Sequence, residues 1–413
     1  MKRKSITLVG TLISVLMIVA MLVSFGCTPS TPQGGGNTLK VGVVAWLGFA
    51  IGLDMVHAVE IMADMDNKAG GLNIGGQKYN IQLIVYDCKN DQAAATAAVN
   101  RLIFEDKVKF ILSDGWLFDA CLPIIEQNKV LLSEITPSPA VLAPDLKMTF
   151  MPAFNNCMNS ECAGWLAKNY PNKKSVFVAY GDDFSGHAQQ PVSKASFEAF
   201  GFTYSEMFYP AGTQDLSALG TRVKTANPDF FVANGGGPIN DALAYKAVAQ
   251  AGYKGQLFGN VTQPLLSLSQ IVPMDALEGF INAAWPVEFD PATTQPGKDF
   301  KAAYIAKYGK WDGPEIQGGA AYSFLRAALM KVGSVDPVKV ATDISASGIK
   351  FDGPCGEGQM VARPDIGNSR KVDSTVALAM KKIAGGKPVL IETISLDIAT
   401  GYFQKVTDFM KKK

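Results

Sequence analysis

The sequence contains very few histidines and no familiar catalytic motif. His57 and His187 are the only 2 histidines among 413 residues, and neither stands at a zinc-ligand spacing to a cysteine. The G-x-S-x-G nucleophile elbow, the G-x-x-x-x-G-K-[ST] phosphate loop and the H-E-x-x-H zinc motif are all missing. We therefore expect a protein without catalytic activity, metal centre or cofactor.

The net charge is also small, and the sequence has no basic stripe. The chain has 38 Lys and Arg against 37 Asp and Glu, which gives a formal net charge of +1. Loss of a leader that carries Lys2, Arg3 and Lys4 would change this to +1 − 3 = −2. Nucleic-acid-binding domains are usually strongly basic, so we expect no nucleic-acid partner. With 48% hydrophobic residues, a chain of 413 residues can bury a large core and suggests two domains.

The N-terminus has the pattern of a leader and a tether rather than of a folded segment. Three basic residues precede an uncharged stretch at 5–26, and Cys27 follows a small residue. This pattern resembles a bacterial lipoprotein signal, which implies a signal peptide at 1–26, a lipidated Cys27 and a flexible Pro/Gly/Ser linker at 27–38. An uncleaved membrane anchor and a freely secreted protein are the alternatives. In each case the folded part starts near Leu39, outside the cytoplasm.

One of the 6 cysteines belongs to this leader, which leaves an odd number for the folded part. Disulfides are permitted outside the cytoplasm. Cys88 and Cys121 each follow a predicted strand and could lie on one rim of a sheet, whereas Cys157 and Cys162 are close enough in sequence to pair locally. Spacing alone leaves the connectivity and the role of Cys355 open.

Short apolar runs alternate with helical patterns in two successive sets, which is typical of doubly wound α/β sheets. The predicted strands are 39–46, 80–86, 109–112 and 130–135 in the first set, 175–180, 203–209 and 230–233 in the second, and 278–285, 375–381 and 389–395 in the remaining chain. The segment 227–262 forms a complete β-α-β unit with a glycine turn after its first strand. Such a turn lies at the carboxyl end of a parallel strand, where open α/β sheets bind small molecules.

Aromatic residues concentrate at the predicted strand ends rather than within the strands. They are Trp46, Phe49, Trp116, Phe118, Phe184 and Trp285. Aromatic side chains at turns that meet on one edge of a sheet favour a ligand cleft. For any single one, packing in the core or between lobes is the alternative. The adjacent acids Asp182 and Asp183 beside Phe184 favour capping of the next helix over acid–base chemistry.

Seven short motifs, in order, carry a resemblance to a known family. They are VGVV at 41–44 with an aromatic turn after it, ADMDNKAGGL at 63–72, YDCKNDQ at 86–92, GDDFSG at 181–186, GTQDLS at 212–217, NPDFFV at 227–232 and FDGP at 351–354. With these motifs the chain resembles the leucine/isoleucine/valine-binding family of extracytoplasmic solute-binding proteins, the type I receptors of ABC importers. The resemblance runs from about Leu39 to Ser395.

The resemblance implies an α/β fold of two Rossmann-like doubly wound lobes joined by three crossovers. The crossovers would lie near 150–155, near 281–285 and near Phe351. The lobe bounds that it implies are 39–152 plus 284–350 for the N-terminal lobe and 153–283 plus 351–410 for the C-terminal lobe.

The family also implies a monomeric receptor that captures a small organic ligand between two closing lobes and delivers it to the permease subunits of an ABC transporter. Amino-acid-like molecules, amides and aromatic or aliphatic carboxylates are the expected ligands. A lipid anchor on Cys27 would hold the receptor at the cell membrane, in the periplasm or on the outer face. A ligand-sensing module of the same fold that signals to a partner protein is the alternative.

Carried over onto this sequence, the family's ligand contacts fall on turns of both lobes. The expected ligand-binding residues are Trp46, Phe49, Trp116, Leu117, Phe118, Thr136, Ser138, Phe184, Gly236, Val261, Thr262 and Trp285. Hydroxyl and amide donors around 114–118 and 135–138 would hold a ligand carboxylate. The resemblance also makes Cys88 the first member of a family disulfide, with Cys121 as its partner only in a shifted geometry.

Three departures from the family pattern affect the expected ligand. The turn after Phe258 has no acid to neutralise a ligand ammonium group, and Pro137 replaces a threonine. Glycine replaces an aromatic residue at Gly236 or Gly237, which would leave room for a bulkier ligand or for contacts by the backbone.

The missing acid disfavours a zwitterionic ligand. A buried ammonium group without a carboxylate costs on the order of several kcal/mol. An ordinary amino acid would therefore need Asp182, Asp183 or Glu288 as a substitute. We expect instead an uncharged or simple carboxylate ligand with an apolar or aromatic body.

Overall fold

Two lobes, each built on a mainly parallel β-sheet, make up the fold in a computed structural model that describes residues 37–113, 118–153, 155–260, 265–311 and 313–413. The predicted leader and Cys27 lie outside these residues. In the described part of the chain, no helix is both long and apolar enough to cross a membrane.

The N-terminal lobe begins with the first sheet and its helices. Its elements are β1 (Asn37–Ala45), α1 (Ala50–Lys68), β2 (Leu72–Ile74), β3 (Gln77–Asp87), α2 (Gln92–Phe104), β4 (Phe110–Ser113), α3 (Leu122–Gln127), β5 (Leu131–Glu134) and β6 (Thr149–Phe150). β1 starts at Asn37, within the segment predicted as linker, because Asn37 and Thr38 already pair with Tyr79 and Asn80 of β3.

The C-terminal lobe follows with a second series of strands and helices. Its elements are α4 (Asn155–Asn169), β7 (Ser175–Asp182), α5 (Phe184–Ala199), β8 (Thr203–Pro210), α6 (Ser217–Ala226), β9 (Phe230–Asn234), α7 (Gly237–Gln250), β10 (Gln256–Gly259), α8 (Leu265–Ser269) and β11 (Ile281–Ala284).

The remaining chain adds helices to the N-terminal lobe, a small third sheet and the last elements of the C-terminal lobe. These elements are α9 (Gln295–Tyr308), α10 (Gln317–Val332), α11 (Pro337–Ser347), β12 (Lys350–Gly353), β13 (Gly356–Arg363), β14 (Asn368–Val376), β15 (Leu378–Ala384), β16 (Lys387–Ile394) and α12 (Leu396–Lys411). Helix α10 lies on the first sheet, where the Ser133 hydroxyl donates to the backbone oxygen of Ala321 at 3.1 Å.

The parallel parts of the two large sheets have the same strand order. In the first sheet it is β3-β1-β4-β5-β6, with β2 antiparallel at the edge. In the second it is β8-β7-β9-β10-β11, with β15 and β16 added as antiparallel strands. In each set, the second parallel strand in the chain lies on one side of the first strand, and the third, fourth and fifth strands lie on its other side. This repeat confirms the prediction of two doubly wound lobes.

Both faces of the central strands are buried, as parallel sheets require. Along β9, Phe230 and Val232 belong to the main hydrophobic core, whereas Phe231 and Ala233 belong to a second buried cluster on the opposite face. Because side chains alternate along a strand, a strand with helices on both faces must be apolar at every position. The continuous apolar run at 230–233 meets this requirement.

The third sheet, β12-β13-β14, is antiparallel and was not predicted. Phe351, expected near a crossover, lies in β12. The single strand predicted at 375–381 is two strands, because Ala377 separates β14 from β15. At this residue the chain passes from the third sheet into the sheet of the C-terminal lobe.

Neither predicted disulfide is present, because each would need a cysteine that is a free thiol. Cys121 and Cys162 are both buried free thiols, and the Cys162 Sγ lies 3.7 Å from the backbone oxygen of Asn260. Cys157, whose side chain lies outside the described residues, shares helix α4 with Cys162. Cys162 is a free thiol, so its local pair with Cys157 is not formed. The predicted Cys88–Cys121 pair is likewise not formed.

The described free thiols are also chemically protected. Cys355 is buried, and its thiol donates to the backbone oxygen of Ile316 at 3.3 Å. Burial raises the pKa of Cys121, Cys162 and Cys355 above the usual thiol range. Since the thiolate is the reactive form, these cysteines behave as small core residues.

Two helical glycines offer a matched test of this packing. A Cβ at Gly220 in α6 would lie 2.4 Å from the backbone oxygen of Ala247 in α7, whereas a Cβ at Gly401 in α12 would meet nothing within 4 Å. Gly220→Ala should lower the free energy of unfolding by about 1 to 3 kcal/mol, because the new methyl group would push the backbone of α7 at Ala247 away from α6. Gly401→Ala should raise it by roughly 0.5 to 1 kcal/mol through helix propensity. Urea unfolding of both variants checks this, and equal effects at the two positions would contradict the α6–α7 contact.

Candidate ligand site

The candidate site lies at the carboxyl edges of the two large sheets, where the chain crosses between lobes. β6 leads into α4 through Met151 and Ala153, and the chain leaves β11 at Trp285. The Met151 N–H donates to the backbone oxygen of Val372 at 2.8 Å, and the Ala153 N–H donates to the Ser374 hydroxyl at 2.5 Å. Both crossings start from carboxyl strand ends, so these edges of the two sheets border the same connecting segments. Ligands of open α/β sheets bind at such edges.

In the N-terminal lobe, the turn after β1 brings together two of the predicted aromatic residues. The rings of Trp46 and Phe49 are stacked, with centroids 4.8 Å apart and planes 21° apart. The turn is fixed by the Leu47 N–H, which donates to Asp87 Oδ1 at 3.1 Å. Gly52 is required there, because a Cβ on it would lie 2.2 Å from the backbone oxygen of Trp46. The half-buried pair is therefore held as a rigid aromatic surface.

The other predicted contacts of this lobe are described only in part. Trp116 and Leu117 lie outside the described residues, and so does the side chain of Phe118. Thr136 and Ser138 are buried, and the Ser138 N–H donates to the Thr136 hydroxyl oxygen at 3.1 Å.

The Ser138 hydroxyl is engaged within its own lobe. It donates to Asp119 Oδ2 at 2.9 Å and accepts from the backbone N–H of Ala140 at 3.2 Å. A hydroxyl has one hydrogen to donate, so Ser138 can donate to a ligand carboxylate only by giving up Asp119. Its expected role as a carboxylate donor is weakened by this geometry.

In the C-terminal lobe, the turn between β7 and α5 exposes Phe184 and occupies both neighbouring acids. Asp183 caps α5, as predicted, by accepting from the Gly186 N–H at 2.9 Å. Asp182 Oδ1 lies 2.7 Å from His187 Nε2. Phe184 is the first residue of α5 and is 45% exposed. An apolar ring is therefore presented at this strand end, beside two acids that each have a partner in their own lobe.

The glycine turn after β9 is explained by close backbone packing. A Cβ at Gly236 would lie 2.2 Å from the Tyr209 hydroxyl oxygen, and one at Gly235 would lie 2.8 Å from Gly186 Cα. Gly237, with φ 75°, has nothing within 4 Å of an added Cβ. The prediction that glycine leaves room for a ligand is thus wrong at Gly236, where Tyr209 fills the space, whereas Gly237 is open.

Two buried asparagines at neighbouring strand ends were missed by the sequence analysis. Asn234 ends β9 and Asn260 follows β10, and both are fully buried. The Asn260 side-chain N–H donates to Asn159 Oδ1 on α4. No described residue forms a hydrogen bond with the Asn234 side-chain amide. The only sequence signal for such a buried amide was an asparagine, Asn234, at the end of an otherwise apolar strand. Val261 and Thr262, the predicted contacts that follow Asn260, lie outside the described residues.

Trp285 and Glu288 mark the second crossover. Trp285 is buried in the main core, and no described residue accepts a hydrogen bond from its indole N–H. Glu288 Oε2 lies 2.8 Å from the Nζ of Lys381, which is itself buried. The Glu288 charge is therefore neutralised within the protein.

Two further buried acids, Glu134 and Glu161, were not predicted from the sequence. Glu134 is the last residue of β5 and is fully buried at the carboxyl edge of the first sheet. Glu161 is fully buried on α4, where burial raises its pKa well above the usual range and the Val376 N–H lowers it only in part. Burial at this position therefore disfavours the charged form of Glu161. Among the described residues, no group of three or more His, Cys, Asp or Glu side chains could hold a metal ion.

Comparison with known proteins places this architecture among binding proteins. A family model described as periplasmic binding protein matches residues 41–379. The leucine-binding protein LivK from Thermotoga maritima matches with a TM-score of 0.69 and 21% identity, over 87% of this chain and 99% of that one. An ABC-transporter solute-binding protein from R. palustris, solved with 4-hydroxybenzoate, matches with a TM-score of 0.68 and 20% identity, over 88% and 99%.

A third structure binds a different class of ligand. The branched-chain amino acid transporter substrate-binding protein LivJ from Streptococcus pneumoniae, solved with isoleucine, matches with a TM-score of 0.68 and 17% identity, over 86% of this chain and 99% of that one. At such identities these structures share the fold with this chain. None of the three is described as an enzyme.

The packing of Gly236 can be tested with a double-mutant cycle. Gly236→Ala should lower the free energy of unfolding by about 1 to 3 kcal/mol, because the new methyl group overlaps the Tyr209 hydroxyl. Among the described residues that hydroxyl has no hydrogen-bond partner, so Tyr209→Phe alone should change stability little. In the Tyr209→Phe background, Gly236→Ala should cost less. An identical loss in both backgrounds, measured by urea unfolding, would place the clash elsewhere.

Proposed function

Because this chain belongs to the periplasmic binding protein family, we propose that it is the solute receptor of an ABC importer. It captures a small organic ligand between its lobes and delivers it to the permease. The observation that carries this proposal is the pair of apolar surfaces at the carboxyl edges, the stacked Trp46 and Phe49 in one lobe and the exposed Phe184 in the other. Ligand binding would favour the closed arrangement of the lobes through its higher affinity for that state.

The proposed contacts extend over both lobes. Besides these three aromatic residues, they are Trp116, Leu117, Phe118, Thr136, Ser138, Gly236, Val261, Thr262 and Trp285. Gly236 would act through its backbone, since its side-chain position faces Tyr209.

The internal pairing of acids favours a ligand without an ammonium group. Asp182 pairs with His187, Asp183 caps α5, and Glu288 pairs with Lys381. Recruiting Glu288 would weaken its pair with Lys381, and Asp182 or Asp183 would have to bind the ammonium in addition to the partners they already have. Leaving the ammonium unpaired costs on the order of several kcal/mol. We therefore propose an amide or a simple carboxylate with an apolar or aromatic body.

An amino acid is the second candidate ligand, and Glu134 is the observation that favours it. This carboxyl group is buried at the carboxyl end of β5, close to the predicted contacts Thr136 and Ser138. A ligand ammonium that reached Glu134 would meet an acidic side chain, which it would share with the group that Glu134 already contacts.

A ligand panel separates the two candidates. The mature protein is heated with 2-amino acids, primary amides, and aliphatic and aryl carboxylates. A ligand at 100 times its Kd should add about 2.7 kcal/mol of stability, which appears as a higher Tm. Carboxylates or amides should shift Tm, and Glu134→Gln should leave that shift intact. Shifts by amino acids that disappear in Glu134→Gln would establish the second candidate, and no shift with any compound would count against the receptor.

We further propose that the mature protein is a monomer, anchored outside the cytoplasm through a lipid on Cys27. Protein extracted from membranes should begin at Cys27 and carry the added mass of a lipid-modified cysteine. Cys27→Ser should release the protein or leave its leader uncut. An intact leader on wild-type protein, found by mass spectrometry, would instead identify an uncleaved anchor.

A further inference from the structure

We infer that an apolar rim of Phe184, Ile239 and Leu266 on the C-terminal lobe binds the apolar body of the ligand and selects for its length. This inference rests on the proposed receptor function and adds two residues, Ile239 and Leu266, that neither the sequence motifs nor the family resemblance indicated.

The three rim residues share one edge of one sheet. They lie in the first turns of α5, α7 and α8, which follow β7, β9 and β10. These strands are direct neighbours in the order β10-β9-β7. Because adjacent strands lie about 4.8 Å apart, side chains that follow their carboxyl ends are separated by distances that a small molecule can span.

All three side chains are large, apolar and exposed. Ile239 is 57% exposed, Leu266 is 52% and Phe184 is 45%. Single exposed apolar residues need no explanation, but three that follow neighbouring strands form a local apolar surface. Removing such a surface from water is favourable, which supplies a driving force for ligand binding.

No acidic side chain in the rim competes for a charged ligand group. The first turns of α5, α7 and α8 contain no acid. The acids next to these turns have partners in their own lobe, since Asp183 accepts from Gly186, Asp241 accepts from the Gly236 N–H at 3.2 Å, and Asp182 lies 2.7 Å from His187 Nε2. The apolar part of a ligand is therefore the part that fits here.

The opposite lobe presents a matching surface. The stacked Trp46 and Phe49 are followed by Leu53, which is 40% exposed and donates its backbone N–H to the Phe49 oxygen at 3.0 Å. The crossovers border both carboxyl edges, so a ligand bound there has one apolar surface on each side. A longer apolar body would contact more of both.

The test measures affinity as a function of ligand length. Isothermal titration uses straight-chain monocarboxylates of three to eight carbons, the corresponding primary amides, and benzoate with its ω-phenyl homologues. Wild-type affinity should rise by up to about fourfold per added methylene, as expected for burial in an apolar site. Ile239→Asn and Leu266→Asn should reduce this gradient, so that the loss of affinity grows with the length of the ligand.

Ile305→Asn is the matched control, because Ile305 is a similarly exposed isoleucine near the end of α9 in the other lobe. It should keep the wild-type gradient. An unchanged gradient in both rim variants would overturn the inference, and so would an equal loss at every length, which indicates an effect on lobe closure. If only ligands without an apolar body bind, the inference fails and the receptor function stands. If nothing in this or the wider panel binds wild-type protein, the receptor function fails as well.

Discussion

The parallel strand order is the constraint on which the rest of the structure depends. In parallel sheets every turn from strand to helix emerges on the same edge. Trp46, Phe184 and Gly236 are far apart in the sequence, yet each follows a strand of this kind. The chain also leaves its sheets for the other lobe at strand ends, after Phe150 and Ala284. Strand order therefore brings turns from distant parts of the sequence to the same edges of the two sheets, where we propose that the ligand binds.

The parts of the fold that the sequence predicted are those with an unbroken apolar signal. Runs such as 230–233 identified the central parallel strands, because burial on both faces leaves no other composition possible. Helix α4 was missed because its buried face contains Asn159 and Glu161, which interrupt the apolar stripe that marks a helix. Asn159 is accommodated there by an amide from another strand end, Asn260. The third sheet was missed because its strands pair antiparallel with one another and lie outside the repeated β-α pattern.

The strand-end positions of candidate site residues such as Trp46 and Phe184 could be predicted from the sequence, but the partners of the polar ones could not. The cap formed by Asp183 is local and was predicted from its position before a helix. By contrast, Ser138 and Asp119 are 19 positions apart, and Lys381 and Glu288 are 93 apart. A single sequence contains no signal that joins such pairs. Gly236 is a further example, because its sequence position suggested open space for a ligand. Tyr209, near the end of another strand, fills that space.

The first crossover combines backbone strain with bonds to the third sheet. Ala153 has φ 65°, a left-handed conformation that costs a non-glycine residue on the order of 1 kcal/mol. Such strain persists only where the surroundings fix it, and here Ser374 accepts the Ala153 N–H while Val372 accepts that of Met151. Both acceptors belong to β14, which continues through Ala377 into the sheet of the C-terminal lobe. A rotation of one lobe against the other must therefore either break the hydrogen bonds of Met151 and Ala153 to β14 or change the backbone dihedral angles between Ala153 and α4. The strain at Ala153 thus lies in the segment that sets the relative orientation of the two carboxyl edges.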